Sequence, residues 1–464
     1  MDVVIQFYFD PVYFKIVRFA LFGALVILSG CSGLLSDFNY LMNGISQTIT
    51  DYERAQDNYC EVFDDTLLHD KPRSKGVEIS LKRAQQLARL KWLPHDNIPR
   101  VGYGGQYLAN KEYIGVPYSL VMHINTYVGL DISLYTFLTA VANPYSVLYS
   151  ENVSKPPYNG VQCAPYYGTV CSTAVWYALG IYIPYFTRFV PTLDFLTTPD
   201  YSTPDAIELC DILLSGGHMV MVYDIGRGRD GDIEKVTLFE CGVTFVEDTK
   251  FIIYTFEEFK ERWENVKWKI FRYNGLDDNI DFDDYDFVSI DNYDAAPFIY
   301  DKSLCTNRGD KVAYREGEDV VINIFDTIYS NIEIYKDGVL LKSFSINDNC
   351  IVLSSLPYGD YKVRLASKER QYSDFIYFEV LDINVDVKFD GMITTYFHSL
   401  NAHPEYMDIC TSSQSPQAYY PFSNDDIYAQ EITVDTVVKD VPLFCKVYFR
   451  GKYGRVSNIP IAIN

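Results

Sequence analysis

Ser215-Gly216-Gly217-His218-Met219-Val220-Met221-Val222-Tyr223-Asp224-Ile225 is the stretch from which the rest of the chain can be read outward. Two glycines precede a histidine, and the histidine opens a near-continuous apolar run. Gly226-Arg227-Gly228-Arg229-Asp230-Gly231-Asp232 follows, and a second strand-like run returns from Ile233 to Cys241. Two such runs around a Gly/Asp-rich loop predict an antiparallel hairpin. With the loop symmetric about Arg229, Ile225 faces Ile233 and His218 falls opposite Glu240. Directly opposed side chains in such a ladder interact. A carboxylate there orients an imidazole, which is the base-and-orienter half of a nucleophilic site.

The chain upstream supplies a nucleophile. In Cys163-Ala164-Pro165-Tyr166-Tyr167-Gly168-Thr169-Val170-Cys171-Ser172-Thr173-Ala174-Val175-Trp176-Tyr177-Ala178-Leu179-Gly180, Gly168 breaks the chain. The run from Cys171 to Leu179 is long and apolar enough for a buried helix that Gly180 closes. Cys171 then lies in the first helical turn. A helix N-terminus favours the thiolate, which is the nucleophilic form. His218 takes or holds the proton, and Glu240 fixes its tautomer. Cysteine at the head of a buried helix, then a hairpin delivering histidine and a polar orienter, is the order of papain-like enzymes.

On these residues, 96–275 resembles the NlpC-type papain-like cell-wall cysteine peptidases and their CHAP amidase relatives. Gly115-Val116-Pro117-Tyr118 is similar to the Gly-x-Pro-Tyr that opens such domains. Val170-Cys171-Ser172-Thr173-Ala174-Val175 is similar to their Asp-Cys-Ser-Gly-Leu-Val helix start, and Gly217-His218-Met219-Val220-Met221-Val222 to their Gly-His-Val-Gly-Ile-Val strand. Glu240 stands where the family carries His, Asn, Gln or, in the CHAP branch, Glu. The resemblance implies hydrolysis of an amide in peptidoglycan stem peptides or related cell-wall peptides. Cys171, His218 and Glu240 are then the catalytic residues, with backbone amides near Cys171 as oxyanion donors. The substrate-contacting tyrosine is Tyr118, or else Tyr166 or Tyr167. No cofactor and no metal enter this chemistry. Three features depart from the family pattern. Val170 replaces its Asp, Thr173 replaces its Gly, and the interval from Tyr118 to Cys171 is far longer than usual. An inserted helix and loop in that interval would narrow or re-line the cleft.

Other readings of the same residues stand beside this one. Cys171 is alternatively an inert buried cysteine, or is bonded to Cys163 in an oxidising compartment. Cys163, Cys171, Cys210, His218 and Cys241 lack the C-x₂-C spacing of a zinc site. His123 precedes the cysteine, as a circularly permuted papain fold requires. Glu240 is otherwise a plain exposed strand residue.

Lys15 and Arg18 precede an apolar run from Phe19 to Leu28, and Leu28-Ser29-Gly30-Cys31 follows. The run is short for a membrane span but suits a secretory signal. Leu-Ser-Gly-Cys resembles the bacterial lipobox, which implies lipidation of Cys31 and a membrane anchor in the cell envelope. Ser32 resembles the residue of lipoproteins passed to the outer membrane, on its periplasmic face or the cell surface. The 464 residues carry a net charge of −23, which repels phosphate backbones and argues against nucleic-acid binding. Ten cysteines in this length are too sparse for a disulfide scaffold.

Residues 1–31 thus read as a signal peptide with lipobox, and 32–95 as a helical arm packing on the next domain. Within the arm, Ser80 caps a helix running to Leu90, and His69 and His95 lie in polar loops. Inside the 96–275 domain, Asp131 or Ser133 opens a helix to Ala142, and a helix from Thr203 to Leu214 ends at Gly216-Gly217 and delivers His218. Phe256 to Val266 is a charged amphipathic helix, and Trp268 to Tyr273 a closing strand. Eight aspartates crowd residues 276–296, a solvated linker. Residues 297–382 carry short strands between Asp/Asn/Gly turns: Lys311 to Phe325, Asn331 to Tyr335, Val339 to Phe344, Cys350 to Leu353, Tyr361 to Ala366 and Phe375 to Leu381. Lys336-Asp337-Gly338 is a hairpin signal, and Leu356 to Tyr361 resembles the turn before a late strand in Ig-like sandwiches. A second sandwich fills 383–464, with His398 and His403 in loops. The expected fold class is therefore multidomain: an α+β papain-like domain, then two all-β Ig-like sandwiches that serve as spacers or binding modules. The competing function is a catalytically inactive envelope lipoprotein that binds glycan, peptide or protein through those sandwiches. A transferase or deamidase on the same scaffold is a third.

Overall fold

His218 opens an inner strand of a seven-stranded antiparallel sheet. The computed structural model describes residues 67–99, 106–118, 127–150, 167–200, 202–242, 248–277, 298–326, 328–389, 393–411, 416–422, 430–432 and 443–463. The signal segment with Cys31, nearly all of the acidic linker, and His123, Cys163 and Tyr166 lie outside the described residues. The sheet comprises β1 (Leu68–His69), β2 (Leu196–Thr197), β3 (Ile212–Ser215), β4 (His218–Arg227), β5 (Ile233–Glu240), β6 (Lys250–Thr255) and β7 (Lys269–Tyr273). Its order is β6-β5-β4-β3-β7-β2, and β1 pairs with the far end of β4. Met219, Val220, Met221 and Val222 in β4 have no exposed surface. A strand covered on both faces needs apolar side chains at consecutive positions, so this run does not alternate.

Among the described residues the longer helices of this part of the chain are α1 (Lys75–Arg89), α2 (Leu134–Ala142), α3 (Cys171–Leu179) and α4 (Phe256–Val266), and a four-residue helix, Val147–Ser150, follows α2. Helix α3 packs on β4 and on α1, and α4 packs on β5 and β6. Helix α1 lies in the same apolar core as the sheet, as expected of an arm packed on the next domain. It begins earlier than its sequence suggests. Ser74 is the N-cap and accepts from Val77 N–H at 3.2 Å, whereas Ser80 is buried in mid-helix. Gly76 hides the first turn from a propensity reading. A Cβ there would meet the Asp277 carbonyl oxygen at 2.8 Å.

Two expectations about the hairpins are corrected. The segment from Thr203 to Leu214 is not a helix; only Pro204–Ala206 makes a 3₁₀ turn, and Ile212–Ser215 is β3. Short apolar runs satisfy either period, and here Gly216-Gly217 makes the tight turn that pairs Ser215 with His218. Arg272 of β7 holds the segment, its Nε donating to Asp211 Oδ1 at 2.8 Å. The β4–β5 register also differs. Bulges between Val222 and Asp224 and between Gly226 and Arg227 place Ile225 against Val236, and the hairpin closes at Arg227 and Ile233. Nor is His69 in a loop. It lies in β1, and its Nδ1 sits 2.9 Å from Asp224 Oδ2.

The remainder is β in sandwich-like pairs of sheets. Within 297–382 a three-stranded sheet, Leu304–Thr306, Val320–Ile324 and Cys350–Leu353, stands with a five-stranded one, Val312–Arg315, Ile376–Leu381, Gly359–Ala366, Asn331–Lys336 and Val339–Ser345. The run from Lys311 to Phe325 is thus two strands in different sheets. Asp337 and Gly338 both have positive φ, 49° and 83°, as a type I′ hairpin turn requires. Tyr361 Oη donates to the Pro357 carbonyl at 2.7 Å, the tyrosine-corner bond of Ig-like sandwiches. Residues 383–464 form a second pair of sheets, three- and five-stranded. His398 ends one of its strands and His403 opens another, rather than lying in loops.

Neither sandwich hangs free. Helix α2, capped by Ser133, is the platform for the first: Thr136 Oγ1 donates to the Lys311 carbonyl at 2.7 Å and Asp310 N–H to Thr139 Oγ1 at 2.8 Å. Helix α2, which lies between Tyr118 and Cys171 in the chain, therefore docks a neighbouring domain. The second sandwich sends Tyr406 and Tyr448 into the core of the helix-and-sheet domain.

Candidate active site

Cys171 occupies the first position of α3, following Val170 in extended conformation. Valine cannot accept a hydrogen bond, so the first-turn N–H groups have no side-chain cap. Thr173 ties the turn from inside instead. Its Oγ1 accepts from Val170 N–H at 2.8 Å and lies 2.6 Å from Thr169 Oγ1. Val170 and Thr173 are thus one local solution, a threonine clamp at a helix start without a side-chain cap. Gly180, at φ 74°, closes the helix as its sequence predicts.

The sheet brings His218 to the thiol. His218 Nε2 donates to Glu240 Oε1 at 2.7 Å, which leaves Nδ1 as the other ring nitrogen, and the imidazole is electrostatically coupled to the Cys171 thiol. Met221 pairs with Phe239, so continuing the ladder puts Val220, not His218, opposite Glu240. His218 and Glu240 are diagonal neighbours on one face, a spacing that long side chains bridge. Glu240 is not an exposed strand residue; its side chain is fully buried.

Burial pushes the Cys171 thiol up, but the hydrogen bond and charge of His218, with the Met219 and Ser172 N–H groups, outweigh it and hold the thiol below its ordinary value. Burial likewise pulls His218 down, while its bonds to Cys171 and Glu240 lift it to about 10. Both shifts favour thiolate and imidazolium as the resting pair. Cys171 is a free, half-buried thiol, and Sγ lies 3.9 Å from the Gly217 carbonyl.

Of the three candidate tyrosines, Tyr118 is at the site. It bridges Thr169, and its ring lies over Gly242, where a Cβ would meet Tyr118 Cε2 at 2.3 Å. Tyr167 is corrected. It is buried, and its Oη donates to the Arg308 carbonyl at 2.9 Å in the first sandwich, because that sandwich packs on the segment leading to α3. Tyr166 lies outside the described residues.

Two participants escape a motif reading. Tyr127 is buried and electrostatically coupled to both Cys171 and Tyr118. Arg262, in α4, is buried with Nη2 3.5 Å from Glu240 Oε1, and its guanidinium lies over the rings of Tyr254 and Trp268 at 5.5 and 5.4 Å. Its signal is an arginine on the apolar stripe Phe259-Arg262-Trp263, a position that asks for a buried counter-charge.

No family model matches the chain, and no curated protein matches it. Solved structures similar to part of it include the fibronectin(III)-like modules of Clostridium thermocellum CbhA, at 12% identity over 34% of this chain and 90% of that one, with a TM-score of 0.21. A cytokine receptor complex aligns at 9% identity over 35% of this chain and 95% of that one, TM-score 0.23. Domains 3 and 4 of rat CD4 align at 8% identity over 32% and 97%, TM-score 0.21. The sandwich architecture rests on the sheet order and the tyrosine corner described above.

Proposed function

We propose that this chain is a lipid-anchored cysteine hydrolase of the bacterial cell envelope, with a papain-like domain that cleaves amide bonds in peptidoglycan stem peptides or related cell-wall peptides. One observation carries the reading: His218 bonds a buried Glu240 at 2.7 Å while its ring is electrostatically coupled to Cys171 at a helix N-terminus. The thiolate attacks the carbonyl carbon, and the developing oxyanion turns to the uncapped first-turn amides of α3. His218, as imidazolium, gives its proton to the departing amine, then takes one from the water that releases the acyl group. Glu240 holds the ring through both transfers and stabilises its charge. The decisive experiment is digestion of purified muropeptides, with mass spectrometry of products, by wild-type protein and by Cys171→Ala and His218→Ala. New amine and carboxyl termini made only by wild type support the reading. No cleavage by a wild-type protein whose Cys171 is alkylated rapidly at neutral pH would turn the search to other amides. No cleavage with an unreactive Cys171 would end it.

A second reading, binding through the sandwiches, is favoured by the edge strand Val339–Ser345. Val339, Leu340 and Leu341 on it are 71%, 49% and 51% exposed. Apolar side chains on an unpaired edge suit strand addition by an extended peptide. Loss of ligand capture on Leu340→Lys, with Cys171→Ala unaffected, would favour that reading.

A further inference from the structure

The last sandwich reaches toward the cysteine through a single turn. Arg455 has no exposed side-chain surface. Its Nη1 donates to Asp131 Oδ1 at 2.7 Å, its Nε to Glu405 Oε2 at 2.5 Å and its Nη2 to the Tyr182 carbonyl at 2.7 Å. Its backbone N–H donates to the Asp131 carbonyl at 3.0 Å, and Gly454 bridges Ile132. Arg450, which also donates to Glu405, gives Nη2 to the Leu130 carbonyl at 2.9 Å. Residues 130–132 are thus gripped from the second sandwich.

The grip continues inward. Asp131 Oδ2, the oxygen not used by Arg455, accepts from Tyr127 N–H at 3.3 Å. Tyr127 bridges Gly168, and Val128 N–H donates to the Gly168 carbonyl at 3.1 Å. Gly168 begins the segment Gly168-Thr169-Val170 that leads into Cys171, and Thr169 is bonded to Thr173 in the first turn of α3. Every link is a hydrogen bond or a backbone bridge, and the ion pair at its outer end is buried, where losing one partner is expensive.

We infer that Arg455 is a positioning residue for Cys171: through Asp131 the C-terminal sandwich holds the 127–132 turn against Gly168 and so fixes the nucleophile's backbone relative to His218. The sandwich is then an internal part of the active site, not a spacer. This rests on the proposed function only in requiring that Cys171 be an activated thiol.

The test uses the soluble full-length mature chain and iodoacetamide, with alkylation of Cys171 followed by mass spectrometry across pH. The exposed Cys350 is the internal reference. Arg455→Lys and Asp131→Asn are compared with Tyr419→Phe, which loses a different bond of the same interface, Tyr419 Oη to the Pro184 carbonyl at 3.0 Å. The expected result is a roughly tenfold fall in neutral-pH alkylation and a midpoint moved to higher pH in the first two variants, with Tyr419→Phe like wild type. Wild-type profiles in the two folded variants, or an equal shift in Tyr419→Phe, overturn the inference and leave the function standing. An ordinary thiol profile in the wild type overturns both. If the two variants do not fold, wild-type protein in low urea decides: Cys171 activation must be lost together with amide protection of residues 443–457. Activation that outlasts that protection overturns the inference.

Discussion

Arg262 Nη2 lies 3.5 Å from Glu240 Oε1, the oxygen that also accepts from His218 Nε2 at 2.7 Å. One carboxylate oxygen therefore faces a guanidinium on one side and an imidazolium on the other, in a site without exposed surface on the glutamate. Arg262→Met leaves Glu240 buried beside a single cation. A loss of roughly 3 kcal/mol in urea unfolding is expected, the usual cost of breaking a buried pair from one side. Without the guanidinium the Glu240 carboxylate is held less firmly against the ring, so support for the imidazolium weakens and the Cys171 alkylation midpoint rises. Arg262→Lys keeps the charge and should recover the midpoint more than the stability. Unchanged pH profiles in both variants would leave Arg262 as mere packing.

His218 decides where Cys171 titrates. With the ring in place its bond and charge overcome the burial that raises the thiol. His218→Ala removes the opposing influence and leaves burial, so the alkylation midpoint should move from below the ordinary thiol value to above it. Glu240→Gln keeps a ring partner but not the charge, and should fall between the two. Its amide turnover should drop on the order of 100-fold or more. An unshifted midpoint in His218→Ala would dissolve the pair.

The hairpin and the nucleophile helix were legible because their signals are local. Gly180 as a left-handed stop, the apolar block after His218 and the Asp337-Gly338 turn all act within a few residues. The helix expected before Gly216-Gly217 failed for the opposite reason. A four-residue apolar run has no resolvable period, and what makes Ile212–Ser215 a strand is its ladder to β4 and β7. Pairing His218 with Glu240 assumes a loop centred on Arg229, whereas the hairpin closes at Arg227 and Ile233, about Asp230, and the two bulges cancel. They still meet, because a shift of two residues keeps both side chains on the same face of the sheet. Arg262, Tyr127 and Arg455 were invisible, since each matters through residues far away in the chain.

Glu379 makes the contact among the three domains sensitive to pH. It accepts the N–H groups of Lys452 and, at closer than usual range, of Tyr453, at the tip of the hairpin that carries Arg455. Burial pushes its carboxyl up to about 7, against the pull of those two amides. A carboxyl raised in the folded state stabilises it fully below the unfolded value near 4.5 and loses that contribution as pH rises through about 7. The gap corresponds to roughly 3 kcal/mol. Thermal unfolding should therefore show the wild type losing stability from pH 5 to pH 8, and Glu379→Gln should lose distinctly less, since Asp131 and Asp408, raised to about 6, and His218, raised to about 10, decline in both proteins. A parallel decline in the variant would place the sensitive group elsewhere.

Gly242 keeps a place for the Tyr118 ring. Its φ of 77° is strained for any residue with a side chain, and a Cβ would lie 2.3 Å from Tyr118 Cε2. Gly242→Ala must therefore either twist the end of β5 or push the ring away from the cleft. The ring is the softer of the two, since Tyr118 is only half-buried. Displacing it should raise KM for a muropeptide severalfold while the alkylation profile of Cys171 stays near wild type, because His218 and Glu240 hold each other directly. The backbone strain should cost about 1 kcal/mol, readable in urea unfolding. Tyr118→Leu separates the two effects. It removes the phenol without straining Gly242, so it should reproduce the KM change and spare the stability. If Gly242→Ala instead lowers kcat and shifts the alkylation midpoint with KM intact, the glycine serves the catalytic pair through Cys241 and Glu240, and Tyr118 is not the residue that meets substrate.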